Sequence, residues 1–389
     1  MSAEAAALRR LMRTWRWWCL AGAGGLSVGS ILLLSALGPD LVRWVVPNLL
    51  ALAAIQGFVL RNLALNRRSE DGPLLGELGP GTQMTVLRGV LIAQLPGYLF
   101  LPWPVGAQAW LPALTFSAVV IADFLDGYLA RRASVMTRLG EALDIEFDGI
   151  GLLAATALAA HYGQLPLIYL LTVGSARYHY LLAGWTARQL GRPVYPLPPS
   201  TTRRALAGVT LELGTAALWP IAPPAMMTLG GAIVGLPFLT GFVRDGLVHL
   251  GFLDTGSTWY TSTRRRIVHT FTFILPPFLR GTLLLILGPQ LALAAHSVRS
   301  TAGAAGVLGG AILLFIALCL LLVVSGFAGR TGAVGLIIVY GLTLAAVGPS
   351  PGGVAAWGCA MAIYLLGTGA GSLWQPERAI YLRRAGGRG

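Results

Sequence analysis

Long apolar runs alternate with short polar gaps along the whole chain. A helix needs about 20 apolar residues to cross a bilayer. Runs near that length lie at Trp17–Leu37, Leu41–Leu60, Met84–Leu101, Trp110–Leu129, Leu143–His161 and Leu165–Trp185, and again at Ala205–Trp219, Met226–Leu247, Phe271–Leu291, Gly306–Val324, Ala333–Val347 and Val354–Thr368. The pattern predicts an all-α, polytopic transmembrane helix bundle of about twelve spans. Two longer polar segments, Arg61–Gly81 and Gly251–Val268, divide it into two plus six plus four spans. The expected organisation is an N-terminal two-span extension with its linker (1–78), a six-span block (79–250) and a four-span C-terminal block (251–389).

Composition sharpens this reading. Charged residues make up 11% of the chain and mean hydropathy is +0.70, against about 25% charged in an average protein. No soluble domain of any size fits. The net charge of +13 could point to nucleic acid, but its distribution argues otherwise. All 28 basic residues are Arg, and they cluster in gaps between apolar runs, as positive-inside loops do. With the N-terminus inside, only Arg43 and Arg299 fall outside, and Arg177, Arg244 and Arg280 fall within spans. That orientation puts both termini in the cytoplasm of a bacterial-type cell membrane. Arg9, Arg10, Arg13 and Arg16 before the first run resemble a signal peptide, but the run is long enough to be a retained span. Cys19, Cys319 and Cys359 lie in apolar runs and read as packing residues. The five histidines, His161, His179, His249, His269 and His296, show no ligand spacing.

Six of the 15 acidic residues fall between Asp123 and Asp148. Ionised groups near lipid cost about 2.5–3.5 kcal/mol each on insertion scales and usually mark function. Asp123, Asp126, Gly127, Ala130 and Arg131 recur at the spacing of one helical face, as do Gly140, Asp144 and Asp148 on a second helix. Two short helices joined by a basic turn would bring four carboxylates together. Only Arg131, Arg132 and Arg138 stand near them in sequence, so divalent cations are the expected partners. Mg²⁺ favours carboxylates with phosphate oxygens, and two ions can clamp both sides of a phosphoryl-type displacement. The small residues Gly127, Ala130 and Gly140 admit a close approach, Arg131 can grip a phosphate, and an unliganded Asp can accept a proton.

The pattern D-x2-D-G-x2-A-R-x8-G-x3-D-x3-D, at Asp123, Asp126, Gly127, Ala130, Arg131, Gly140, Asp144 and Asp148, resembles the signature of the CDP-alcohol phosphatidyltransferases, integral-membrane phospholipid synthases, at every fixed position. The similarity covers roughly Gly79 to Leu250. The resemblance implies that Asp123, Asp126 and Asp144 bind metal, two Mg²⁺ or Mn²⁺ ions. It implies that Asp148 is both metal-associated and the proton acceptor, and that Gly127, Arg131 and Thr137, with Gly140, contact the CDP group. Thr85 and Arg88 resemble the Thr-x-x-Arg that opens the family's first span and belong to the same donor site, although the family's preceding Pro-Asn is not matched in register.

The implied chemistry is attack of a small polar alcohol, such as glycerol 3-phosphate or inositol phosphate, on a CDP-linked lipid, preferably CDP-diacylglycerol, with CMP leaving. A soluble CDP-alcohol with a lipid acceptor is the nearest alternative, and a metal-ion transporter is the alternative of another class. Transport would spread the acids along a path through several spans, whereas here they sit together. Arg177, Arg203, Arg204 and Arg244 are candidates for an acceptor phosphate, with ordinary pairing (Arg244 with Asp245 or Glu212) or snorkelling as the competing reading. The trailing spans faintly resemble the DoxX-like four-helix membrane family at Arg280-Gly281 and Gly329–Gly332. The bilayer is a partner, a homodimer is one candidate assembly, and no nucleic acid is expected.

Overall fold

The computed structural model describes residues 3–133, 136–197, 201–299 and 303–375. Among these no β-strand forms; a single parallel bridge joins Phe327 and Trp374. The helices are α1 (Ala3–Leu37), α2 (Leu41–Asn62), α3 (Pro80–Ile92), α4 (Trp110–Ala133), α5 (Arg138–His161), α6 (Leu167–Tyr169), α7 (Ala176–Gln189), α8 (Thr201–Ala217), α9 (Pro224–His249), α10 (Thr258–His269), α11 (Leu275–Arg299), α12 (Ala304–Ser325), α13 (Gly329–Val347) and α14 (Pro351–Leu366). Seven helical stretches among the described residues are long and apolar enough to cross a membrane, and α14 is a shorter apolar helix. The chain is an integral membrane protein with an all-helical fold. Large apolar side chains such as Ile31 and Leu314 stand more than 70% exposed, as lipid-facing residues do.

The expected spans that fall outside those seven do so for physical reasons. Met84–Leu101 is not one helix: α3 stops at Ile92, and Pro96 and Gly97 start a 3₁₀ turn at Pro96–Phe100. Pro96 has no N–H to donate to the Ile92 carbonyl, so the α ladder cannot continue through it. At 13 residues, α3 reaches only about 20 Å. The span at Leu165–Trp185 is broken by a π turn at Leu170–Gly174. In the Leu143–His161 run, α5 is continuous over 24 residues, but its first half carries Glu141, Asp144, Glu146 and Asp148. α8, over the Ala205–Trp219 run, has 17 residues.

The chain divides into two compact units. The first, residues 1–178 with 211–220, holds the acidic motif. Here α1 and α2 pack through glycines: a Cβ on Gly22 would meet Leu52, and one on Gly29 would meet Trp44. Small residues let apolar helices approach closely where no hydrophobic force drives them together. The next contact runs from α2 to α3. Asn48, fully buried, accepts the Gly97 N–H at 2.6 Å, and Gly89 lies against Ile55 and Phe147. The N-terminal pair is thus built into the same core as the motif helices.

The second unit, residues 179–210 with 221–389, centres on a bundle of α11 to α14. Its core is Leu283, Leu287, Ile316, Cys319, Leu320, Val323, Ala333, Leu336, Ala356, Ala360 and Ile363. Gly332 and Gly335 let α13 lie against Cys319 of α12. Arg280 donates to the carbonyls of Val324, Thr368 and Ala370, and Arg330 to that of Tyr364. These arginines satisfy carbonyls that helix ends leave without intrahelical donors.

Candidate active site

Three helices of the first unit build the site. α4 carries Asp123 and Asp126, α5 carries Asp144 and Asp148, and α3 inserts Arg88 between them. The motif helices are not short: each runs 24 residues, with the acids of α4 near its end and those of α5 near its start. Asp126 is buried, Asp123 and Asp144 are half-buried and Asp148 is exposed. Oxygens of Asp123, Asp126 and Asp144 lie within 4.8 Å of one another, so these three can hold a metal ion.

Arg88 is the common partner of all four carboxylates. Its side chain is 2% exposed. Nη1 donates to Asp123 and lies 3.4 Å from Asp126 Oδ2. Nη2 lies 2.7 Å from Asp144 Oδ1 and 3.4 Å from Asp148 Oδ1, and also donates to the Asp144 carbonyl at 2.9 Å. One nitrogen of the planar fork therefore faces the pair on α4 and the other the pair on α5, a geometry that guanidinium has and ammonium lacks. One guanidinium cannot neutralise four carboxylates. The donor set of hard oxygens with uncompensated negative charge fits a divalent cation.

The remaining sequence-predicted residues divide. Thr85 donates to Asp126 Oδ2 at 3.1 Å and to the Gly81 carbonyl at 3.1 Å, so it orients the buried carboxylate. Thr137 is the N-cap of α5: its Oγ1 accepts from Gly140 N–H at 3.1 Å and lies 3.3 Å from Thr82 Oγ1. Gly140 has no room for a side chain, since a Cβ there would sit 2.9 Å from Thr82 Oγ1. Gly127 follows Asp126 on α4, half-buried. The side chains of Ala130 and Arg131 lie outside the described residues.

Two of the three basic partners expected from sequence proximity, Arg132 and Arg138, go elsewhere. Arg132 donates to Tyr128 Oη at 3.1 Å, and Arg138 pairs with Glu70 at 3.4 Å. Arg88, some 35 residues before the first Asp, takes that role. Sequence reasoning placed Arg88 with the donor site and missed its contact with every motif Asp. The signal was present: Thr82, Thr85 and Arg88 recur every three residues, one face of α3.

Three of the four arginines proposed for an acceptor phosphate have acidic partners. Arg177 pairs with Glu146 at 2.6 Å, and its side chain fills the space above Gly149. In the second unit Arg203 lies 3.0 Å from Asp245 Oδ2, and Arg244 binds Asp245 Oδ1. Asp245 is 4% exposed and sits between two guanidinium groups, while Arg204 is exposed.

Among known proteins, residues 81–241 match the family model of CDP-alcohol phosphatidyltransferase. No curated protein and no solved structure matches the chain. The match runs from the first turn of α3 through α4 and α5 and therefore includes Arg88 and the four aspartates. With the intact motif folded into one carboxylate cluster, residues 81–241 of this chain are similar to the CDP-alcohol phosphatidyltransferases, a family of phosphotransferases that use a CDP-linked donor and an alcohol acceptor.

Proposed function

We propose that the protein transfers a phosphatidyl group from CDP-diacylglycerol to the hydroxyl of a small polar alcohol, such as glycerol 3-phosphate or inositol phosphate, and releases CMP. The observation that carries this reading is the convergence of Asp123, Asp126, Asp144 and Asp148 on Arg88 from two helices. Asp123, Asp126 and Asp144, with Asp148 beside them, would hold two Mg²⁺ or Mn²⁺ ions. Bound there, the ions supply charge stabilisation for the diphosphate.

The chain's own residues do the rest. Asp148, the most exposed of the four carboxylates, takes the proton of the acceptor hydroxyl. The hydroxyl oxygen forms a bond to the lipid-linked β-phosphorus as the bond from that phosphorus to the CMP oxygen breaks. Arg88 holds the two Asp pairs at a fixed separation, and Thr85 fixes Asp126. Gly127, Arg131, Thr137 and Gly140 receive the CDP group, with Thr85 and Arg88 behind them. Arg177, Arg203, Arg204 or Arg244 is proposed to contribute to an acceptor phosphate site. Asp245 and Glu146 would keep three of these arginines oriented until the anion binds.

In this reading residues 79–250 form the catalytic block, 1–78 an extension and 251–389 an accessory block. The site and both termini face the cytoplasm of a bacterial-type membrane, and the enzyme works in phospholipid biosynthesis, with a homodimer as the assembly to test. Purified protein in lipid, given CDP-diacylglycerol, Mg²⁺ and a panel of alcohols, should release CMP with one class of alcohol. CMP release from a soluble CDP-alcohol alone would reverse the direction of transfer, and no release from any donor would reject the reading.

A further inference from the structure

The linker between α2 and α3 closes on itself and then onto the first turn of α5. Asn66 is fully buried; its Nδ2 donates to the carbonyls of Leu75 and Glu77, both at 2.9 Å. Its own carbonyl accepts from Leu75 N–H at 2.9 Å. The neighbouring Arg67 donates to the Ala64 carbonyl at 3.0 Å and the Gly72 carbonyl at 3.1 Å, and pairs with Glu4 at the start of α1. Arg10 of α1 lies over the same loop: a Cβ on Gly76 would sit 2.7 Å from its Nε.

This loop touches α5 at two points. The Arg138 N–H donates to the Arg67 carbonyl at 2.9 Å, and the Arg138 side chain pairs with Glu70. Arg138 is the first residue of α5, so its N–H is one of the four that helix geometry leaves without an intrahelical acceptor. The Thr137 side chain satisfies another, that of Gly140, and its carbonyl accepts the first intrahelical bond, from Glu141. The loop ends at Gly79, the N-cap of α3, whose Thr82 meets Thr137. One closed loop, anchored on α1, therefore holds the starts of α3 and α5 together. Those two starts carry Thr82, Thr85, Thr137, Gly140 and Asp144.

We infer that Asn66 is a positioning residue for the donor end of the site, and that the N-terminal two-helix extension serves the transfer reaction through the 66–78 loop. The inference rests on the proposed phosphatidyl transfer. Asn66 does not touch the donor; it acts by fixing the first turn of α5, where Thr137 and Gly140 stand.

The test uses full-length N66A and N66D in lipid nanodiscs. Asp keeps the shape and one acceptor oxygen but removes both Nδ2 donors, so N66D carries the test where N66A does not fold. The expected result is about tenfold faster amide exchange over residues 138–141, together with a donor KM raised about tenfold, the loss of one to two hydrogen bonds, and kcat changed much less. E4Q should move both readouts the same way by a smaller factor. Wild-type exchange in N66D, or faster exchange with an unchanged donor KM, overturns the inference; the second result would mark Asn66 as a stability residue only. Should the wild type release no CMP from CDP-diacylglycerol, the proposed function fails, and exchange in N66D still decides whether the loop holds α5.

Discussion

Replacing Arg88 separates charge from geometry at the centre of the site. The side chain is 2% exposed and meets four carboxylates. Those contacts are unequal. Asp126 and Asp123 are the better buried pair, at 9% and 29% side-chain exposure, whereas Asp144 and Asp148 are at 45% and 50%. Solvent screening leaves the exposed pairs at most about 1 kcal/mol each. Removing the cation of a buried pair costs about 3–5 kcal/mol, because a buried carboxylate loses its partner.

R88M should therefore unfold in chelator at a stability lower by about 3 kcal/mol, and part of that loss should return when Mg²⁺ is added. R88K keeps the charge, but one ammonium cannot face both helices as the fork does. It should fold near wild-type stability and lose about 10²-fold in kcat/KM, the equivalent of one charge-assisted hydrogen bond. With Cys19 and Cys359 replaced by Ala, a thiol-reactive dye that reports exposure of the buried Cys319 would follow unfolding of its own unit. The difference in intrinsic fluorescence between this protein and its W44F variant isolates Trp44, also buried, and would follow the unit that holds the site. CMP release would follow turnover. An R88K enzyme as fast as wild type, or an R88M protein equally stable in chelator, would refute the clamp.

Chelation by EDTA should abolish CMP release, with Mg²⁺ or Mn²⁺ restoring it; full activity in chelator would remove the metal from the mechanism. D148N should lose about 10²–10⁴ in turnover, the usual cost of a missing general base, while keeping affinity for the CDP-lipid. D123N should lose both turnover and affinity, so near-normal turnover in D148N would assign the proton elsewhere. If Arg203 and Arg244 bind an acceptor phosphate, R203A and R244A should raise the acceptor KM more than the donor KM. Unchanged acceptor kinetics in both would leave these arginines as partners of Asp245 alone.

The sequence alone determined the class of fold, because a bilayer imposes a length and a polarity on every helix that crosses it, and those are written in the apolar runs. It determined which acids belong together as well: the i, i+3 and i, i+4 spacings of Asp123–Asp126 and Asp144–Asp148 are properties of any helix. Where helices stop inside an apolar run was harder to read. Pro96 and Gly97 end the regular path of α3's run, while the π turn at Leu170–Gly174 breaks its run at residues that include no proline. Only the tertiary structure decided what neutralises the acids. Arg132 and Arg138, close in sequence, bind Tyr128 and Glu70, and the arginine that reaches all four carboxylates comes from another helix. In the same way the cap on Arg138 comes from Arg67, across a loop closed by a buried Asn. Such pairings depend on which side chains the packed helices bring within about 3 Å of each other, and spacing along the chain carries no record of that distance.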